Sequence, residues 1–218
     1  MKPITALWCA CALLTAALTA CGGSAEQNST AASAPTQASA STQTGFSGSD
    51  IRADHIGGDF TLLGPDNKPV SLHDFQGKVV ALSFGYTHCP DVCPANLLIY
   101  ADALKQLGER AKDVQVLFIS VDPDRDTPQL LAQYAPAFYP DFIGLTVKPD
   151  DGAALAQVKQ QYRIVSSKVP SDIPNQYLVD HSAGTYLIDQ NGKAAVYEPY
   201  GQTAAQLAHD INLLLDGS

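Results

Sequence analysis

Two largely apolar runs, residues 79–86 and 114–121, dominate the hydrophobic pattern of the chain. Each has the length of a strand and neither alternates with polar residues, so both read as strands buried on two faces. Around them the period changes. Residues 59–63 and 69–72 carry alternating apolar positions on either side of Asp66-Asn67-Lys68, which predicts a hairpin early in the folded region. Leu97, Leu98, Ala101, Leu104 and Leu107 recur at helical spacing, and Gly108 suits the end of that helix. Pro94 can open it, because the first helical position needs no donor N–H, which leaves Cys93 at the cap. Thr127 before Pro128 supplies an N-cap and first turn for a helix through Leu130, Leu131, Tyr134 and Phe138. A strand at 142–147 and a helix at 150–162 follow. Extended segments at 177–179 and 184–188, a turn at 190–193, a return strand at 194–197 and an amphipathic helix at 203–215 complete the pattern. This order predicts an α/β sandwich, a central mixed sheet flanked by helices, with an N-terminal β-hairpin.

The first fifth of the chain has a different character. Its first twenty residues hold one charge, Lys2, then an apolar run over 4–18 and the small residues Thr19 and Ala20. That is the pattern of an export signal, and the run is short for a bilayer span of ~20 residues. Leu18-Thr19-Ala20-Cys21, with Gly22 after it, resembles the bacterial lipobox, in which the cysteine becomes the lipidated first residue after cleavage. Ser, Ala, Thr, Gln and Gly dominate from there to about Gly48, the composition of a flexible tether with a reach of about 30 Å. The expected organisation is a signal peptide at 1–20, a lipidated N-terminus and linker at 21–49, and one folded domain at 50–218. Such a chain sits in the bacterial cell envelope, anchored to a membrane by its N-terminal lipid, with the domain on the periplasmic or extracytoplasmic side. A formal net charge of −9 argues against nucleic acid or an anionic lipid surface as partner.

Export simplifies the cysteines. Of five, Cys9 and Cys11 leave with the signal and Cys21 carries lipid, so only Cys89 and Cys93 remain in the domain. One pair is too few for a disulfide scaffold, and the loop it would close is too short to gain much chain entropy. A bridge, a redox pair and a metal site all remain open. Each cysteine precedes a proline, which biases it towards an extended or turn conformation. Both thiols face the partial positive end of a helix, which favours the thiolate, the form that attacks disulfides and binds metals.

Three segments carry a resemblance: GKVVALSFGYTHCPDVCP, ISVDPDRDTPQLLAQY and YLVDHSAGTYLID. Together they resemble the Sco/SenC family, copper-handling proteins of cytochrome c oxidase assembly with a thioredoxin-like fold, over nearly all of the chain after Asp50. The resemblance implies copper ligands at Cys89, Cys93 and His181. Soft thiolates favour Cu(I), and an imidazole beside them lets the same site accept Cu(II). Without the resemblance nothing in the pattern marks His181 as a ligand. His88 adjoins Cys89, but neighbouring residues of an extended segment point to opposite sides. His55, His73 and His209 form no constellation. Asp91 and Asp180 can tune the site or receive a partner. Asp122, Asp124 and Asp126 match a family motif, yet beside Pro123 and Pro128 they also serve to shape a loop and the start of a helix.

The implied function is a membrane-tethered metallochaperone that delivers copper to, or prepares, the CuA site of an oxidase subunit, with a thiol reductant protein as a second partner. The alternative is a thiol-disulfide oxidoreductase that reduces partner cysteines, with a role in oxidative-stress defence, Cys89 attacking and Cys93 resolving. Whether the chain is an enzyme is therefore open. Thioredoxin-like oxidoreductases usually carry a cis-proline opposite the thiols, where this chain reads His181-Ser182-Ala183-Gly184, which favours metal binding. A peroxidase would need a basic neighbour for its cysteine, with Arg125 and Arg163 as the available donors.

Overall fold

The structure, a computed structural model, describes residues 45–218. The expected signal peptide, the lipid site at Cys21 and nearly all of the tether lie outside the described residues. Among the described residues ten strands and four α-helices follow one another in chain order. They are β1 (Ser49–Asp50), β2 (Thr61–Leu63), β3 (Pro69–Ser71), β4 (Val79–Gly85), α1 (Val92–Leu107), β5 (Val114–Ser120) and α2 (Pro128–Tyr134). Then come β6 (Ile143–Leu145), α3 (Gly152–Gln161), β7 (Ser166–Pro170), β8 (Tyr177–His181), β9 (Thr185–Ile188), β10 (Ala194–Glu198) and α4 (Ala204–Leu215).

Six strands form the central sheet in the order β1-β10-β9-β4-β5-β6. The two apolar runs are its middle: β4 and β5 pair in parallel, and every residue of both is buried. Their lack of alternation follows from that position, since both faces are covered. On one side β6 continues the parallel pairing, and on the other β9 and β10 run antiparallel, so the sheet is mixed. The expected α/β sandwich with a central mixed sheet and flanking helices is the architecture found. β2 and β3 make the expected N-terminal hairpin, with Asp66 and Asn67 at positive φ in its turn. α1 packs beside α4, and Leu131 of α2 lies against Gly144 of β6.

Three expectations need correction. α1 begins at Val92 with Asp91 as its N-cap, so Cys93 lies inside the first turn rather than at the cap. Pro94 then occupies the third helical position, and the first intrahelical bond runs from the Ala95 N–H to the Asp91 carbonyl. No bond is lost there, because the first-turn N–H groups have no helical acceptor. α2 ends at Tyr134 and passes into a 3-10 turn at Ala135–Ala137, because Pro136 has no N–H for the α-helical ladder. Finally, β7 was not foreseen. Its Ser-Ser-Lys-Val-Pro sequence is largely exposed and carries no apolar alternation, and it exists only by pairing with β8.

The sheet also gains an edge strand from the N-terminal side. Ser49 and Asp50 pair with β10, and the Ser47 and Gly48 N–H groups each donate to the buried Asp210 carboxylate at 2.8 Å. Folded contacts thus reach a few residues ahead of Asp50.

Candidate metal centre

β4 carries the chain to the end of the sheet, where Gly85 leaves room for a sulfur. A Cβ at Gly85 would lie 2.8 Å from Cys93 Sγ and 2.6 Å from the Phe118 ring. The loop then turns through Tyr86, Thr87 and His88, with the Cys89 N–H donating to the Tyr86 carbonyl at 3.2 Å. In the first turn of α1 the Cys93 N–H donates to Cys89 Sγ at 3.4 Å, so a sulfur accepts one of the free N–H groups of the helix start.

β8 brings the third group from the opposite side. His181 ends that strand, and its Nδ1 lies 2.9 Å from the Ser182 carbonyl. A carbonyl only accepts, so Nδ1 carries a proton, and Nε2 is the ring nitrogen that faces the thiols. Nε2 is 3.4 Å from Cys93 Sγ. The ligating atoms of Cys89, Cys93 and His181 all lie within 4.8 Å of one another. The Tyr86 ring stands edge-on to the imidazole, centroids 5.8 Å apart.

The two thiols are unbridged and chemically unequal. Cys89 is half-buried, and its thiol is held down to about 3, chiefly by a hydrogen bond from Cys93. His181 and the Asp91 and Cys93 N–H groups reinforce this against the cost of desolvation. Cys93 is buried and pushed up, first because its proton is shared with the Cys89 sulfur and then by burial. Of the two, Cys89 is thus the thiol favoured as thiolate and Cys93 the one that favours keeping its proton. Soft sulfur, a second thiol able to lose a proton and an imidazole nitrogen suit copper in either oxidation state.

A cleft of about 220 Å³ opens over the group, with Tyr86, Cys89, Pro90, Leu178 and His181 in its walls. Asp91 and Asp180 also line it, and both are exposed. His88 lies outside the group of three; its Nδ1 sits 3.0 Å from the Thr87 hydroxyl. His55, His73 and His209 are exposed and apart from it. Neither arginine serves a thiol: Arg125 engages Asp122 and Tyr177, and Arg163 donates to the Asp54 carbonyl.

The three aspartates after β5 do more than shape a loop. Asp126, fully buried, accepts from the Thr87 N–H at 3.0 Å, the Thr87 hydroxyl and the Ser120 hydroxyl. It therefore holds the segment that leads to Cys89. Asp122, also fully buried, receives Arg125 and the Tyr177 hydroxyl, and Asp124 pairs with Lys168 of β7. The sequence held one signal for this: carboxylates directly after a buried, uncharged strand are either in water or paired.

A profile of the family described as SCO1/SenC matches residues 48–216. The chain belongs to the SCO1/SenC family. Among curated members, the mitochondrial SCO2 homologue of Bos taurus is 38% identical over 156 residues, covering 71% of this chain and 58% of that protein. The chain thus spans well under two thirds of that relative's length. Among solved SCO1/SenC structures, Bradyrhizobium japonicum ScoI with copper bound is 38% identical, with a TM-score of 0.66, over 73% of this chain and 99% of that one. A SCO1/SenC family lipoprotein from Bacillus anthracis is 28% identical, with a TM-score of 0.61, over 73% and 94%. The thioredoxin-like fold expected from the resemblance is the fold these members share.

Proposed function

We propose that this SCO1/SenC member holds one copper ion between Cys89, Cys93 and His181 and acts in cytochrome c oxidase assembly, delivering copper to, or preparing, the CuA site of an oxidase subunit. The observation that carries this reading is convergence: a sulfur of α1 and an imidazole of β8, 88 residues apart in the chain, meet at 3.4 Å, with a second sulfur beside them. The copper-bound ScoI relative supports the choice of metal. Cu(I) is satisfied by the two thiolates, whereas Cu(II) also calls on His181. Binding displaces the Cys93 proton, so affinity falls as pH falls.

The test is an anaerobic copper titration of the reduced protein, wild type against His181→Ala. The expected result is one equivalent bound by the wild type and a clear loss of affinity in the variant. Equal binding by the disulfide-oxidised protein would sink the reading.

The inequality of the thiols favours a second reading, thiol-disulfide exchange. A half-exposed thiolate at Cys89 with a buried partner thiol at Cys93 is the arrangement of an attacking and a resolving cysteine. Under it, metal-free protein turns over on a disulfide substrate and His181→Ala keeps that activity. Either reading calls for a thiol reductant protein as partner.

The anchor belongs to the same proposal: a signal peptide over 1–20, lipid on Cys21 and a linker through residue 49 hold the domain beside a membrane, facing the extracytoplasmic side. The Bacillus lipoprotein relative supports that form. No helix among the described residues is long and apolar enough to cross a membrane.

A further inference from the structure

We propose that Arg125 is a positioning residue of the copper site: by gripping Tyr177 it fixes the β7–β8 hairpin, and with it His181, relative to the two thiols. The inference rests on the copper reading above. β7 and β8 pair only with each other, so no ladder bonds tie the strand bearing His181 to the sheet bearing the cysteines. Past His181 the link Ser182–Gly184 runs into β9, and Asn96 of α1 donates to the Ala183 carbonyl at 3.1 Å; what fixes the other end of β8 against the sheet is a separate grip.

The segment after β5 supplies it. The Arg125 guanidinium lies 3.7 Å from the centre of the Tyr177 ring, and its Nη1 donates to the Tyr177 carbonyl at 3.0 Å. Its Nε donates to Asp122, and the Tyr177 hydroxyl closes the circuit by donating to the other Asp122 oxygen at 2.7 Å. Lys168 of β7 sits 4.6 Å from the same ring and pairs with Asp124. Tyr177 opens β8 and His181 ends it, so a grip on one end of a single short strand sets the position of the other. The next residue, Asp126, holds Thr87 and hence the approach to Cys89. Residues 122–126 thus clasp both halves of the site, Asp122, Asp124 and Arg125 the hairpin and Asp126 the thiol loop.

The consequence is selective. Two thiolates satisfy Cu(I), but Cu(II) depends on the imidazole, so loosening the grip weakens the Cu(II) state far more. Lysine cannot replace the planar fork that both stacks on a ring and donates to two acceptors.

The experiment loads the full chain with Cu(II) and, separately, Cu(I), comparing wild type with Arg125→Ala, Arg125→Lys and Tyr177→Phe. Loss of support around a metal ligand costs about 10- to 100-fold in affinity, so Arg125→Ala should release Cu(II) at least about tenfold faster. Its thiolate-to-copper absorption and paramagnetic resonance spectrum should change, and its Cu(I) affinity should stay within about threefold of wild type. Arg125→Lys should behave like Arg125→Ala, and Tyr177→Phe should fall between that variant and wild type. In copper-free protein, amide exchange across Ser166–His181 should quicken in Arg125→Ala. An unchanged Cu(II) spectrum and release rate in folded Arg125→Ala overturns the proposal, as does an equal loss of Cu(I) and Cu(II). If Arg125→Ala does not fold, Tyr177→Phe decides by the same readouts. If the wild type binds no copper, the functional reading fails, and the metal-free exchange experiment still decides whether Arg125 holds the hairpin.

Discussion

Cys89 and Cys93 sit four positions apart and differ in almost every physical respect that matters for chemistry. Cys89 reaches the cleft and receives hydrogen bonds; Cys93 is buried against Gly85 and keeps its proton while donating a hydrogen bond to Cys89. A lowered thiol pKa means that the thiolate predominates from about 3 upwards, so alkylation of Cys89 should be nearly constant from mildly acidic to neutral pH. An ordinary thiol would lose about tenfold in rate per pH unit over that range. Because the hydrogen bond from Cys93 is the largest cause, Cys93→Ala should raise the Cys89 pKa and restore the ordinary slope. Thiolate absorbance and alkylation rate against pH, read in both proteins, check this; a flat profile in Cys93→Ala would place the cause elsewhere.

Among the elements, β10 and α4 carry the most unusual electrostatics outside the centre. Glu198 of β10 is buried, and its carboxyl is pushed up to about 8, first by desolvation and then by the neighbouring Asp210 carboxylate. Asp210 of α4 in turn holds the Ser47 and Gly48 N–H groups, so the two acids lie where the N-terminal segment meets the sheet. The sign follows from proton counts. Between the ordinary value of 4.5 and about 8 the folded state keeps a proton that the unfolded state releases, so stability is full below that window and falls as pH rises through it. The loss is on the order of a few kcal/mol. Glu198→Gln should remove most of this slope and raise stability at pH 8, measured by denaturant melts between pH 5 and pH 9.

For the whole molecule, the centre is a joint between two units that share no strand pairing, the six-stranded sheet with α1 and the β7–β8 hairpin. A copper ion held by both acts as a cross-link present only in the folded state, and its binding free energy adds to folding. With free copper about a hundredfold above Kd the gain is about 2.7 kcal/mol, and the melting temperature of a domain this size should rise by roughly 5–10 °C. Reduced protein should show that shift and disulfide-oxidised protein should not, which a calorimetric melt checks directly. An equal shift in both would mean that copper binds away from the thiols.

Much of this architecture was legible in the order of residues. The runs that became β4 and β5 read as buried strands, because they are strand-length, largely apolar and uncharged, and the Thr127-Pro128 pair marked a helix start that Thr127 does cap. The thiol pair was legible because cysteines are few, and His181 only through a resemblance. Physical reasoning from one chain could not reach further, since a lone histidine at a strand end looks the same whether it faces water or a thiol. The sequence by itself determined which groups were present and which segments must be buried. Tertiary structure alone decided that Cys93 enters the helix, that an exposed polar stretch becomes β7, and that residues 122–126 clasp both the thiol loop and the hairpin. The clasp joins residues 39 to 55 positions apart, and β7 depends on a partner strand that its own exposed polar sequence does not announce, so no local period or spacing encodes either.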